Sequence, residues 1–363
     1  VAVVVSAALA EALKAIRPAD EIAAEAARRR LDSLTKPPGS LGRLEELAAR
    51  LAAIQGGAPH VGRKELVLFA ADHGVAAARA VSAYPREVTR QMVLNFAAGG
   101  AAANVLARQA GARVTVVDVG VDGAPFEGGG VVAARVRGGS RDLSSEDAMS
   151  GEECARALEV GLTFARRLAA DGADCLLAGE MGIGNTTAAA AVFCGLFGLA
   201  PADVVGRGTG VDADGLRRKI EALEVALTRH GGSREPLRVL ASLGGLEIAA
   251  IAGFAAGAAA ARVPLVVDGF IATAGVAVAL GLSPAIADFL FFAHRSSERA
   301  HGLVLERLGA RPLLELDMRL GEGTGALLAT HLLEAACRVY AEMATFASAG
   351  VSGASDPPRR AAS

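Results

Sequence analysis

Four short apolar runs in this chain of 363 residues stop in the same way, at an acid and a glycine. Residues 66–71 end at Asp72-His73-Gly74, residues 114–117 at Asp118-Val119-Gly120, residues 175–178 at Gly179-Glu180-Met181-Gly182, and residues 265–267 at Asp268-Gly269. The runs are rich in Val and Leu and alternate with alanine-rich helical stretches. That is the pattern of an α/β fold, a parallel sheet flanked by helices on both faces. Ligands of open parallel sheets bind outside the carboxyl ends of the strands, so these endings are expected to gather several acids around one crevice. One such acid alone would be a turn residue or a helix cap. The repetition of strand, acid and glycine is what favours a site.

The rest of the chain narrows what such a site serves. Apolar residues make up 52% of the sequence, ample core for one large domain with a smaller companion. A net charge of -2, with basic residues dispersed among acidic ones, leaves no footprint for nucleic acid or for an anionic membrane. Aromatic residues are too scarce for base-stacking platforms. Cys154, Cys175, Cys194 and Cys337 are widely spaced in apolar or helical contexts, as expected of reduced core thiols in a cytoplasmic protein. Residues 1–10 are apolar but lack a basic leader and continue into Glu11 and Lys14 as an amphipathic helix. The alanine-rich stretch 246–263 is broken by Glu247, Gly253, Gly257 and Arg262, so it is expected to be a buried helix and not a membrane span.

Helical spacing is expected over 22–34 and 41–54, joined by the turn Lys36-Pro37-Pro38-Gly39-Ser40. Residues 123–150, rich in Gly and Ser, are expected to form a long excursion or hairpin outside the core, and residues 348–363 a disordered tail.

Glu322 stands in Gly321-Glu322-Gly323-Thr324-Gly325, after an alternating segment over 314–320 and before an apolar helical pattern. Glycines on both sides let a ligand approach the main chain while the carboxylate stays unobstructed. The segment lacks the Gly-Lys-Ser/Thr ending of a phosphate cradle, so an acid is presented where a cation would stand. That favours a base or a cation-stabilising group over an anion clamp.

Residues 179–187 follow a strand and open an alanine-rich helix, where free amides, with Asn185 and Thr186 as extra donors, make a site for phosphate. The glycines run G-x-x-G-x-G and do not match the dinucleotide fingerprint. Gly206-Arg207-Gly208-Thr209-Gly210 precedes a helical stretch carrying Arg217, Arg218 and Lys219, either a second phosphate contact or a solvated basic face. His73, His294 and His301 lack the close spacing of a zinc helix, so hydrogen-bonding roles are expected and no metal. Ser296 and Ser297 stand in no nucleophile elbow, which argues against a serine hydrolase.

Several segments keep a common order along nearly the whole chain. They are Lys36-Pro37-Pro38-Gly39-Ser40-Leu41-Gly42-Arg43-Leu44-Glu45, Ala71-Asp72-His73-Gly74-Val75, Glu87-Val88-Thr89, residues 179–187, Asp268-Gly269-Phe270 and Arg319-Leu320-Gly321-Glu322-Gly323. In them the chain resembles the nicotinate-nucleotide:dimethylbenzimidazole phosphoribosyltransferase family. The resemblance implies a large Rossmann-like domain over 60–302 and a small helical domain from both chain ends, 1–59 with 303–347. It also implies a homodimer and no cofactor. The implied reaction moves the phosphoribosyl group of nicotinate mononucleotide to 5,6-dimethylbenzimidazole. The products are alpha-ribazole 5'-phosphate and nicotinate, with inversion at the anomeric carbon, in the making of the lower ligand of cobalamin.

By the same resemblance Glu322 is the catalytic base, taking the proton from the attacking benzimidazole. Glu180 lies nearest the ribose, where positive charge develops. The phosphate falls to the backbone of Gly182, Ile183 and Gly184, flanked by Asn185 and Thr186, and to Gly206, Gly208, Lys219 and Ser296. Leu320, between Arg319 and the Gly321 to Gly323 loop, packs on the base. Around the benzimidazole, where some relatives have serine and glutamine, this chain has Tyr84 and Met92, with Gln91 adjacent. Two rival readings use the same residues. One is a diphosphate-dependent phosphoribosyltransferase, for which the segment after Val267 offers a single acid, Asp268, in place of a pair. The other is a non-catalytic binder of nucleotide or benzimidazole, which would not require Glu322.

Overall fold

The computed structural model describes residues 3–208 and 210–352. Six strands form one sheet: β1 (Lys64–Ala71), β2 (Ala112–Gly120), β3 (Val131–Ala133), β4 (Cys175–Met181), β5 (Leu265–Val267) and β6 (Leu290–Phe292). All neighbours pair in parallel, in the order β3-β2-β1-β4-β5-β6. The fold is thus α/β with a parallel sheet, as the alternating pattern required. β1 is buried along its whole length, which is why residues 64–71 show no polar alternation.

From β1 the chain moves outward to β2 and β3, then returns to lay β4 on the other side of β1. The order reverses between β1 and β4, and a crevice opens beyond the carboxyl ends of strands at such a reversal. Helices Gly151–Ala170 and Leu246–Ala260 pack together over β1, with Phe69 edge-on to Phe164 and Phe254 at 6.2 and 5.4 Å between ring centroids. Gly161 lies on the backbone of Ala250 and Gly253 on that of Leu158, where a side-chain carbon would overlap main-chain atoms. The alanine and glycine content of 246–260 is therefore a close helix contact. Among the described residues no helix is long and apolar enough to cross a membrane.

One expectation changes in the sheet. Residues 123–150 form no detached hairpin: Val131, Val132 and Ala133 add a parallel edge strand to β2, and Leu143, Ala148 and Met149 are buried. Ser140 then bridges to His73, its N–H donating to the Asp72 carbonyl at 2.8 Å. The alternating segment 314–320 forms no strand; it makes a single bridge, Leu314 to His294, and leaves Leu316 and Leu320 exposed.

The described residues divide into two compact units, 3–18 with 62–331 and 19–61 with 332–352. Helix Ala7–Ala15 and residues 303–331, placed by sequence with the small helical domain, group with the sheet. Leu9 and Ala12 of that helix are buried, and Leu313 and Leu314 hydrogen-bond back to the end of β6. In the second unit Ala27, Ala49, Ala52 and Tyr340 pack together. There Lys36 is buried and pairs with Glu45 at 2.9 Å. Burial raises the Glu45 pKa, but the Lys36 ammonium and the Leu41 N–H outweigh it and hold the carboxyl below its ordinary value. Of the expected tail 348–363, Ser348 and Ala349 belong to the helix Phe346–Ala349 capped by Thr345, and residues 353–363 lie outside the described residues. The four cysteines are buried thiols, and burial pushes Cys154 and Cys194 up to about 12.

Candidate active site

Beyond the carboxyl ends of β4 and β5 the loop around Glu322 folds down onto the sheet. Three consecutive residues there have left-handed backbones: Gly321 at φ 80°, Glu322 at 62° and Gly323 at 78°. For a residue with a side chain such a conformation costs about 1–3 kcal/mol and persists only when its surroundings enforce it. Asp268 enforces it. Its Oδ2 accepts the Gly323 N–H at 3.0 Å and its Oδ1 the Ala326 N–H at 2.9 Å, so a carboxylate from the end of β5 caps the helix Thr324–Glu342. Thr324 closes the turn, donating its hydroxyl to the Gly321 carbonyl at 2.8 Å. Gly179 of β4 and Leu66 of β1 lie against Gly323, leaving no room for a larger residue.

The Glu322 carboxylate is buried at 6% exposure, and its Oε2 has no hydrogen-bond partner among the described residues. Burial pushes its pKa up to about 7; the charge of Asp268 adds to this and the Ala103 backbone opposes it. Glu180, buried at the end of β4, is driven further, to about 8, by burial and then by the charges of Asp268, Glu247 and Glu322. The Asn185 carboxamide donates to Glu180 and works the other way. Burial also raises Asp268, against the neighbouring His294 and the loop amides.

A buried lysine stands behind the glycine turn that borders the same cavity as Glu180 and Glu322. Lys219, from helix Ala213–His230, is buried with its Nζ donating to Thr186 Oγ1 at 2.9 Å and to the Gly206 carbonyl at 3.1 Å. Burial lowers its pKa to about 8, against the opposing charge of Glu298. Ser296 is fixed by His301, whose Nδ1 accepts the Ser296 N–H at 2.8 Å. Burial, with His294 and Arg295 nearby, lowers His301 to about 3, so the ring is neutral at physiological pH. Its Nε2 then carries the proton and donates to Thr273 Oγ1 at 3.1 Å, while Thr273 donates to the Gly269 carbonyl. His301 is a tautomer-locked strut for Ser296.

Among the residues given site roles from the sequence, Glu180, Gly182, Ile183, Asn185, Thr186, Gly208, Ser296, Leu320, Gly321 and Glu322 line one cavity. Gly206 and Gly208 also line an adjoining cavity of about 520 Å³. Lys219 stands behind Gly208, Gly184 packs on His73 and Ala76, and Gly323 sits under the loop. Tyr84, Gln91 and Met92 line neither cavity, and Tyr84 is half exposed. Arg207 spans its own turn, donating to the Val211 carbonyl at 3.0 Å.

Of the four strand-end acids, only Glu180 and Asp268 serve this cavity. Asp118 accepts the Val121 N–H at 2.8 Å and pairs with Arg135 at 2.8 Å. Asp72 accepts the Asp122 N–H at 2.8 Å. Both acids tie down loops, the role a lone strand-end acid was expected to have. Sequence reasoning missed Thr89, whose buried hydroxyl accepts the Ile183 N–H at 3.0 Å and so fixes the turn after β4. Its only signal was its place in the matching segment Glu87-Val88-Thr89. Among the described residues no group of three or more His, Cys, Asp or Glu is arranged to hold a metal ion.

Comparison with known proteins places this geometry. A family model described as phosphoribosyltransferase matches residues 16–351. The chain is 53% identical over 346 residues to nicotinate-nucleotide–dimethylbenzimidazole phosphoribosyltransferase of Chloroflexus aggregans, covering 95% of this chain and 98% of that protein. It is 50% identical over 349 residues to the protein of that name from Solidesulfovibrio magneticus, covering 95% and 98%. The crystal structure of CobT from Thermus thermophilus superposes with a TM-score of 0.88 at 53% identity, covering 91% of this chain and 99% of that one. The chain belongs to the nicotinate-nucleotide–dimethylbenzimidazole phosphoribosyltransferase family.

Proposed function

We propose that this protein transfers the phosphoribosyl group of nicotinate mononucleotide to 5,6-dimethylbenzimidazole, releasing nicotinate and alpha-ribazole 5'-phosphate. The observation that carries the proposal is the Glu322 carboxyl, buried at a cavity wall with one oxygen unpartnered among the described residues and its pKa near neutrality. A base that works at neutral pH needs that combination. In the proposed step one benzimidazole nitrogen attacks C1' of the ribose. The bond from C1' to the pyridinium nitrogen breaks, and its electron pair leaves with nicotinate. The proton on the other benzimidazole nitrogen passes to Glu322.

The remaining residues divide the work around that transfer. Glu180 faces the ribose, where an oxocarbenium-like centre develops positive charge. The phosphate lies toward Gly182, Gly208, Ser296 and Lys219, and its arrival raises the proton affinity of a lysine that is otherwise desolvated. Leu320, more than half exposed at the cavity rim, covers the incoming base. We place the enzyme in the cytoplasm, in the synthesis of the cobalamin lower ligand, and take the homodimer as its working form.

The diphosphate-dependent reading is disfavoured because Asp268, the acid it needs for a metal-bound diphosphate, is committed to the Gly323 and Ala326 amides. Incubating the protein with nicotinate mononucleotide and 5,6-dimethylbenzimidazole in the presence of chelator tests the proposal. Free nicotinate and a benzimidazole nucleotide are expected by chromatography in equal amounts. No release at high protein concentration would sink it.

A further inference from the structure

Behind the nucleotide-facing turn lies a buried histidine–glutamate contact that the reaction as described does not use. His73, at the end of β1, meets Glu247, in the first turn of helix Leu246–Ala260, with Nε2 and Oε1 2.7 Å apart. Both side chains are fully buried. Among the described residues His73 Nδ1 and Glu247 Oε2 have no other partner, so this contact is the only polar tie either group has there. Two ionisable groups removed from water and satisfied only by each other are expensive to fold around, and a well-packed apolar pair of similar volume would be as stable or more so. Stability alone therefore does not account for them.

Their surroundings point to the site. A Cβ on Gly182 would sit 3.4 Å from His73 Nε2 and Cδ2, and one on Gly184 3.4 Å from His73 Cβ, so the imidazole lies directly beneath the turn that lines the cavity. Gly245 closes on the ring from the far side. Thr89 pins the middle of the same turn through the Ile183 N–H. The ring and the threonine thus fix the turn at two points from below.

We propose that His73 and Glu247 are positioning residues for the phosphoribosyl transfer, the ring bracing the Gly182 to Gly184 turn and the carboxylate setting the charge behind Glu180. This rests on the proposed function. The charged and titratable groups that face Glu180 are Asp268 from the end of β5, Glu247 from the helix behind and Glu322 from the loop, with the Asn185 carboxamide opposing them. Those that face the pair itself are Glu180 and, beside His73, Asp72 with its neighbour Arg86. Asp268 and Glu247 line neither cavity, but Asp268 is committed to the Gly323 and Ala326 amides while Glu247 meets only His73 among the described residues. Glu247 acts on Glu180 from the protein side of the turn, not from the cavity.

Two variants test the two halves. Glu247→Gln keeps the shape and removes the charge, so Glu180 releases its proton more readily. The limb of the pH profile of nicotinate release that belongs to Glu180 is expected to move to lower pH by roughly half a unit or more. His73→Gln removes the brace. The KM for nicotinate mononucleotide is expected to rise about tenfold, with the KM for dimethylbenzimidazole unchanged, as for one lost positioning contact of about 1.4 kcal/mol. A His73→Asn variant, shorter still, is expected to be worse than His73→Gln.

If a folded Glu247→Gln protein gives the wild-type profile, or if His73→Gln weakens both substrates equally, the inference is overturned. Should Glu247→Gln fail to fold, the His73 variants decide. If wild-type protein releases no nicotinate, the functional reading fails first. Calorimetric binding of nicotinate mononucleotide to wild type and His73→Gln then decides the inference by itself: a tenfold weaker dissociation constant supports the brace and an equal one removes it.

Discussion

Asp268 holds Gly323, 55 residues further along the chain, through an Oδ2 to N–H hydrogen bond of 3.0 Å. With its other oxygen on the Ala326 amide, this one carboxylate fixes the loop that presents Glu322 and starts the helix that follows. Asparagine at 268 offers one acceptor for two donors and turns an amide toward the second. Asp268→Asn is therefore expected to destabilise the protein by about 1–3 kcal/mol, read as a lower urea midpoint. Nicotinate release should fall as well. An unchanged midpoint would show that the loop holds itself.

Glu322→Gln keeps the side-chain size and loses the proposed base. The turnover number is expected to fall by about 10²- to 10⁴-fold. Binding of nicotinate mononucleotide, measured by calorimetry, should stay within a factor of about three, because the proposed phosphate contacts lie elsewhere. A variant that turns over near the wild-type rate would move the role of base to water or to Glu180.

The Glu322 carboxyl has a pKa of about 7 in the folded protein against 4.5 for an unperturbed side chain. Between those values the native state binds a proton that the unfolded chain has lost, so stability is full below pH 4.5 and declines as pH rises through 7. Glu180 acts with the same sign, up to about 8. Urea midpoints of the unliganded protein should thus be lower at neutral than at mildly acidic pH, and the decline should be smaller in Glu322→Gln. The rate runs the opposite way, since a base must be ionised: nicotinate release should rise with pH through about 7. Equal midpoints across this window would contradict the burial assigned to both acids.

Lys219 is lowered to about 8 by burial, so above that pH it increasingly lacks the charge a phosphate needs. Affinity for nicotinate mononucleotide should weaken as pH rises through about 8, with no matching change for dimethylbenzimidazole. Lys219→Met, which fills the same buried space, should weaken the nucleotide by about 10- to 100-fold, as for the loss of one charge-assisted contact.

Thr89→Val removes the acceptor of the Ile183 N–H and leaves a buried donor unsatisfied, a loss of about 1–3 kcal/mol. Thr89→Ser, which keeps the oxygen, should recover most of it. Thermal unfolding of the three proteins checks the order; equal values for valine and serine would mean that packing, and not the hydrogen bond, is what threonine supplies.

Much of this was legible in the chain itself. Residues 66–71 and 175–178 announced central strands because a strand covered on both faces has no reason to alternate, and Gly321-Glu322-Gly323 announced a displayed acid because the flanking residues have no side chains. What stayed hidden depended on partners brought from afar. Asp118 and Glu180 look alike in sequence, yet Asp118 meets Arg135 from the segment just after β3, while Glu180 is surrounded by other acids. His73 and Glu247 are 174 residues apart, so no local spacing announces their pairing. The alternation over 314–320 builds no strand: the segment makes one bridge to residue 294 and leaves Leu316 and Leu320 in solvent.

The three left-handed residues at 321–323 also set how this site can change over time. Alanine or any larger residue at Gly321 or Gly323 meets both a disfavoured backbone and an occupied neighbour, Glu180 in one case and Leu66 in the other. Point mutation has almost nothing to offer there. Leu320, one position earlier, is more than half exposed and lies on the same cavity rim. With the roles proposed for Leu320 and Glu322, a lineage, or an engineer, seeking a different acceptor base has free choice at Leu320 and none in the frame that carries the acid, so substrate range can drift while the acid stays where it is.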